Sequence, residues 1–217
     1  MLRMGLGALA HANWHAHYYS IENDMWSELS VLQAAHAAEI LIKARIAQEH
    51  PLLIFEQIPK VDLADNSVLS FERLLSGGRT YQYRDLPDRL WATTGIRLSN
   101  LEDYREFGKL RNAVQHFVPP ANINLSQRTL EFTFGVVDQF INSNWGLFAI
   151  DSNEDHEPYE YFVPGILARG IRFLVSPESV EGMKYMEVEW PDDPAYQQEM
   201  EKRIEAVRNE VPKNGGR

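Results

Sequence analysis

The chain has no cysteine, an absence that removes disulfide staples, thiolate metal sites and cysteine nucleophiles together. No apolar run approaches the roughly 18 residues that a membrane-spanning helix needs. The opening "MLRMGLGALAHANW" offers one arginine, an apolar run from Met4 to Ala10 and the cleavage-like triplet Ala10-His11-Ala12. That run sits at the lower limit of a signal-peptide core and contains Gly5 and Gly7. A cytoplasmic protein without a membrane anchor is the expectation. Gly77-Gly78-Arg79 lacks the Lys-Ser/Thr and fixed spacing of a phosphate loop and reads as a turn. There is no serine-hydrolase elbow, no zinc-protease pattern and no internal repeat.

What the sequence does hold is an ordinary globular composition, 44% hydrophobic and 24% charged, with a net charge of −10. Such acidity argues against indiscriminate nucleic-acid binding, but it is unevenly spread. Residues 73–111 carry eight basic side chains against five acidic ones, whereas residues 151–217 carry fifteen acidic against eight basic. Arg73, Arg79, Arg84, Arg89, Arg97, Arg105 and Lys109 therefore suit either a local basic surface or scattered solvated charges.

The periodicity is mostly helical. Asn23 suits an N-cap for a helix running to about Glu49, with Met25, Leu29, Leu32, Ile40 and Ala47 on its apolar side and His50-Pro51 ending it. His36, Glu39 and Lys43 fall on the same stripe or at its edge and read as a solvated face, the last two in the favoured ion-pair orientation. A short helix around Val68 to Ser76 should close at Gly77-Gly78, and Asp85-Leu86-Pro87 should open another. Ser99-Asn100-Leu101-Glu102 fits a capping box. Leu101, Tyr104, Phe107, Val114 and Phe117 then supply a buried side, and Pro119-Pro120 stops the helix with His116 in its last turn. Leu130, Phe134, Val137 and Ile141 repeat at helical spacing up to Trp145-Gly146, although "TLEFTFGVV" is rich enough in β-branched and aromatic residues to suit a strand.

Beyond Gly146 the character changes. "DSNEDHEPYE" reads as acidic linker, "GIRFLVSP" and "YMEVEW" suit a hairpin, and Asp193-Pro194 starts a final helix to about Val207. The expected division is an N-terminal segment (1–22), a helical bundle (23–146) and an acidic C-terminal extension (147–217). The fold class is mainly α, with a small α/β extension.

"KLRNAVQHF", Lys109 to Phe117, carries the sharpest functional signal. Arg-x4-His alone is unspecific, since roughly 0.5 such pairs are expected by chance, and "RIAQEH", Arg45 to His50, repeats the spacing. Context separates the two: Asn112 follows Arg111, helices of bundle type precede them, and a loop and a helix follow His116. With these residues the chain resembles the HEPN family, small helical bundles whose ribonuclease members carry Arg-x4-6-His, often with a polar residue after the arginine. The long helix "AAHAAEILIKARIAQEHPLLIFE" is similar in style to the first HEPN helix, and the likeness covers about residues 20–145.

The resemblance implies a metal-independent endoribonuclease, active as a homodimer, with Arg111 and His116 catalytic and Asn112 positioning them. It implies no metal and no cofactor. It also implies a toxin or phage-defence effector, with an antitoxin or other regulatory protein as partner. Lys109, Arg105, Lys43 and Glu39 are the expected RNA contacts.

The chemistry suits those residue types. Attack by a 2′-hydroxyl on the adjacent phosphorus needs proton removal, a protonated leaving oxygen and neutralised equatorial oxygens. Histidine moves protons near neutral pH, and arginine's planar fork fits phosphate. At a helix C-terminus His116 meets the negative end of the dipole, which favours the imidazolium and a general-acid role.

Geometry raises one difficulty, because residues five apart on a regular helix point about 140° from each other. Long side chains, a distorted last turn, or two such helix ends facing each other across a dimer would each close that gap. The bland reading is that Arg111 binds a carboxylate or caps a helix while His116 bonds a carbonyl. A non-catalytic module that binds RNA, nucleotide or protein is the alternative function. The acidic extension could add a dimer contact, cover the site or bind an activator. His11, His15 and His17, with Trp14, Tyr18 and Tyr19, lack a further ligand at recognised spacing, and read as a terminal segment packing aromatics on the bundle or as a platform for bases.

Overall fold

The computed structural model describes residues 1–60, 68–117, 121–183 and 186–210. Its helices are α1 (Leu2–His17), α2 (Trp26–Glu49), α3 (Phe71–Gly77), α4 (Leu86–Thr94), α5 (Leu101–His116), α6 (Leu125–Phe132), α7 (Asp138–Trp145), α8 (Pro158–Ala168), α9 (Pro177–Gly182) and α10 (Pro194–Glu210). Two short strands, β1 (Phe55–Gln57) and β2 (Arg79–Thr80), pair antiparallel. The fold is mainly α.

Helix α2 is the axis. Val31, Ala34, Ala35, Ala37, Ala38, Leu41, Ile42, Ala44 and Ile46 bury it on nearly every side, which no single apolar stripe could do. It packs against α1, α4, α5 and α6. Its start lies slightly later than Asn23 suggests: Asn23 Oδ1 accepts the Met25 amide at 3.0 Å, a turn that precedes the helix. Met25 itself is exposed.

The N-terminal segment is a helix, which its sequence disguises. Its buried side is built of Leu9 and of Gly5, Ala12 and Ala16, small residues that bring α1 close to α2 but give little apolar periodicity. A Cβ at Gly5 would lie 2.7 Å from Leu41 Cγ.

The expected capping box at Ser99 does not form. Asn100 is the N-cap of α5 in the left-handed region (φ 52°), which asparagine tolerates, and its Nδ2 donates to the Gly135 carbonyl at 2.7 Å. Helix α5 is thereby tied to the wide turn Thr133–Val137 that joins α6 to α7. "TLEFTFGVV" is helical despite its β-branched residues, because Leu130, Phe134, Val137 and Ile141 are all buried and burial outweighs propensity. Phe117 is a correction in the other direction: expected inside, it is 82% exposed. Pro119 and Pro120 lie outside the described residues.

Residues 171–176 and 186–190 form no hairpin; among the described residues the paired strands are β1 and β2. The alternation in "GIRFLVSP" is real, since Ile171, Phe173 and Val175 are buried, but side chains take the place of a partner strand. Asp138 Oδ2 accepts the Leu174 amide at 2.8 Å, Arg203 Nη1 donates to the Phe173 carbonyl at 2.9 Å, and Tyr196 Oη donates to the Ile171 carbonyl at 2.9 Å. The hydrophobic core runs without interruption from Leu9 through α2 to Phe162, Ile166, Phe173 and Met200. The acidic stretch straps onto α1, where Glu154 pairs with His11 at 2.8 Å and Asp155 accepts the Tyr18 hydroxyl. No described helix is long and apolar enough to cross a membrane.

Candidate anion-binding cavity beside Arg111

The site is organised by two tyrosines. Tyr83 follows β2, Tyr104 sits on α5, and their rings stack with centroids 4.1 Å apart and planes within 1°. Each hydroxyl donates to the other's backbone carbonyl, Tyr83 to Tyr104 at 3.1 Å and Tyr104 to Tyr83 at 2.8 Å. Close approach needs Gly108, where a Cβ would lie 2.7 Å from Tyr83 Cε1. Burial, first of all, holds both phenols well above their usual range, while the nearby Arg111 guanidinium pulls the other way. Neutral and mutually satisfied, they are structural groups.

This clamp sets residues 80–84 against α2 and α5 and leaves a cavity of about 620 Å³. Arg111 and Asn112 line it, with Arg84, Arg105, Lys109 and Glu39. Arg111 Nη1 donates to Asn112 Oδ1 at 3.0 Å, so the asparagine orients the guanidinium. Lys109 pairs with Glu106 at 2.5 Å and Arg84 with Asp85 at 3.4 Å, both exposed pairs that water and salt weaken. Arg105 has no hydrogen-bond or ion-pair partner among the described residues. Four cationic groups against one lining carboxylate make a cavity for an anion, and arginine's fork suits phosphate in particular.

Glu39 and Lys43, read from sequence as a solvated edge of the long helix, are partly shielded instead. Lys43 Nζ is 2.6 Å from Glu39 Oε1 and 3.0 Å from Thr80 Oγ1, with the two side chains 10% and 22% exposed respectively. Glu39 lines the cavity; Lys43 holds it from behind. His36 is exposed and takes no part.

His116 is not brought to this cavity. Helix α5 stays α-helical to its last residue, Phe117 N donating to Ala113 O at 2.9 Å, so no distorted turn redirects the imidazole. His116 is exposed, without a partner among the described residues, and absent from the lining. No described residue beyond Asn112 lines the cavity, so the described part of the C-terminal extension, residues 147–183 and 186–210, does not cover it.

The second Arg-x4-His spacing resolves as structure: Arg45 bonds Asn144 and Glu49, and His50 Nδ1 accepts the Leu52 amide in the turn that ends α2. The basic segment likewise divides. Arg79 pairs with Glu56, Arg89 donates to the Leu53 carbonyl and stacks on Tyr81, and Arg97 lies over Trp91.

Of the N-terminal histidines, His15 and His17 pack against aromatic rings and His11 pairs with Glu154. Among the described residues no group of three histidine, aspartate or glutamate side chains is placed to hold a metal ion. His17 meets Phe162 edge-on at 5.1 Å, and burial together with the Arg169 charge pulls its imidazolium down to about 4. Burial also lowers His15, which lies against Trp26.

Sequence reasoning missed Thr80, Tyr81, Gln82, Tyr83 and Gly108, and named Arg84 only as one of several surface cations, because nothing in one chain marks "TYQYR" as the wall facing Arg111. It also missed Asp138, a fully buried carboxylate that accepts the Ala149 and Leu174 amides, each at 2.8 Å. The signal was present: an acid inside the apolar run "FGVVDQFI". Comparison with known protein families, with curated proteins and with solved structures gives no match.

Proposed function

We propose that this protein is a HEPN-type endoribonuclease that cleaves RNA by 2′-hydroxyl transphosphorylation without a metal ion or cofactor. The observation that carries the reading is the cavity beside Arg111, where Asn112 orients the guanidinium and Arg84, Arg105 and Lys109 add positive charge. Arg111 takes the scissile phosphate and neutralises charge developing on its equatorial oxygens. The 2′-oxygen bonds to phosphorus as the bond to the 5′-oxygen breaks; His116 protonates that leaving oxygen, and the 2′-hydroxyl proton passes to water. Because His116 and Arg111 leave one regular helix about 140° apart, the proton donor for a given cavity comes from a second copy, in a homodimer whose α5 ends face each other. In the cell such an enzyme serves as a toxin or defence effector restrained by an antitoxin or regulatory protein.

The test is cleavage of a structured RNA such as tRNA in EDTA by wild type, Arg111→Ala and His116→Ala, with analysis of the product ends. Cyclic-phosphate ends from wild type alone are expected. A second reading, a non-catalytic module that binds RNA, nucleotide or protein, is favoured by the position of His116 outside the cavity. Tight RNA binding with no cleavage by a folded dimer would select it.

A further inference from the structure

The cavity contains one group that an anion site should avoid. Glu39 is the single carboxylate among the described lining residues, and it faces the same space as Arg111. A negative charge beside a bound phosphate is repulsive, and in a partly desolvated cavity the repulsion is stronger than in water. Two features relieve it here. Lys43 Nζ, 2.6 Å from Glu39 Oε1, cancels the charge, and Thr80 Oγ1, 3.0 Å from the same nitrogen, fixes the ammonium from the β2 side. The second carboxylate oxygen, Oε2, accepts no hydrogen bond among the described residues. Glu39 is thus a neutralised, held acceptor with one oxygen unused.

An acceptor placed among cations recognises a ligand carrying both a negative charge and a nearby hydrogen-bond donor. In a nucleic-acid strand the donor adjacent to the phosphodiester is the ribose 2′-hydroxyl, whereas base amines lie farther from the phosphate and DNA has no donor at that position. Resting on the reading of the cavity as an RNA phosphate site, we propose that Glu39 accepts a hydrogen bond from the 2′-hydroxyl and so selects ribose over deoxyribose. Lys43 and Thr80 are positioning residues that hold its carboxylate. Deoxyribose would leave the carboxylate facing the phosphate with nothing in return. A site built around a hydroxyl rejects the ligand that lacks it.

The experiment measures fluorescence anisotropy with labelled single-stranded RNA, DNA and 2′-fluoro-RNA 12-mers of one sequence. It uses the His116→Ala protein, so that the RNA stays intact. The 2′-fluoro strand keeps a ribose-like pucker and loses only the donor. RNA is expected to bind about tenfold or more tightly than either other strand. Glu39→Gln should bind all three more tightly, because a charge is removed, with a smaller preference. Glu39→Met/Lys43→Met, which leaves no ammonium without its partner, should lower the preference to about twofold or less. Equal binding of RNA and 2′-fluoro-RNA overturns the proposal even if the variants do not fold. So does an undiminished preference in folded variants, or an equal loss on all strands, which would assign Glu39 to a base amine. Failure to bind any strand would overturn the RNA reading itself.

Discussion

Arg111 and His116 share the uninterrupted helix α5, yet the arginine lines the cavity and the histidine stands exposed at the helix end. If each site combines Arg111 of one protomer with His116 of its partner, mixing two inactive variants should restore activity. A dimer of Arg111→Ala and His116→Ala contains one site with both residues intact. Co-refolding the two in equal amounts should therefore give about a quarter of wild-type cleavage, since half the dimers are mixed and each has one working site of two. A site built within one chain gives no recovery.

The cationic lining predicts a salt dependence. Arg105 has no intramolecular partner among the described residues, so its contact with a phosphate displaces counterions and no protein group. Arg105→Ala should weaken binding of a single-stranded RNA uniformly across sequences and reduce the magnitude of the log K against log salt slope by about 0.7. Lys109→Ala should do less, because Glu106 already occupies that ammonium at 2.5 Å. An unchanged slope for Arg105→Ala would remove it from the RNA path.

The bundle and several helix ends were legible because each left a strong local mark. Asp85-Leu86-Pro87 opens α4, Gly146 closes α7 in the left-handed region (φ 67°), and Asp193-Pro194 starts α10. Arg111 and Asn112 were legible by their type and adjacency. What the sequence hid was non-local. Helix α1 buries Gly5, Ala12 and Ala16, whose packing value lies in how closely they let α2 approach. The segment Ile171–Ser176 alternates like a strand, but the groups that satisfy its backbone, Asp138, Tyr196 and Arg203, come from α7 and α10. The Tyr83–Tyr104 clamp joins residues 21 apart that follow no motif.

Asp138 makes stability depend on pH in an unusual sense. Burial raises its carboxyl from 3.8 to about 7, with Asp151 pushing the same way and the Ala149 and Leu174 amides and Arg203 opposing. The folded state therefore holds the proton more tightly than the unfolded one, and this group's contribution falls as pH rises from about 4 to 7, then levels off. Asp138→Asn cannot ionise. Relative to wild type, the variant should gain on the order of 4 kcal/mol between pH 4 and 7 in urea titrations, starting from below wild type at pH 4 because its Nδ2 cannot accept the second of the two amides. A difference between variant and wild type that stays flat from pH 4 to 7 would mean that the two amides hold Asp138 ionised throughout.

Two glycines give opposite expectations for one substitution. Alanine is favoured over glycine in a helix by about 1 kcal/mol, so the outcome turns on space. At Gly135, in the wide turn between α6 and α7, a Cβ meets nothing within 4 Å, and Gly135→Ala should be neutral or stabilising. At Gly165 in α8, a Cβ would lie 2.1 Å from His17 Cε1, on a ring already wedged against Phe162 and held by Arg169 bonds to the Ala16 and His17 carbonyls. Overpacking of this kind costs about 1–3 kcal/mol and outweighs the propensity gain. Gly165→Ala should therefore lower Tm by several degrees, at roughly 2–4 °C per kcal/mol for a chain of this size. Replacing His17 by alanine in the same chain should recover much of that loss, because it removes the ring the new methyl strikes. A Gly165→Ala protein as stable as wild type would show that α1 does not dock on α8 through His17.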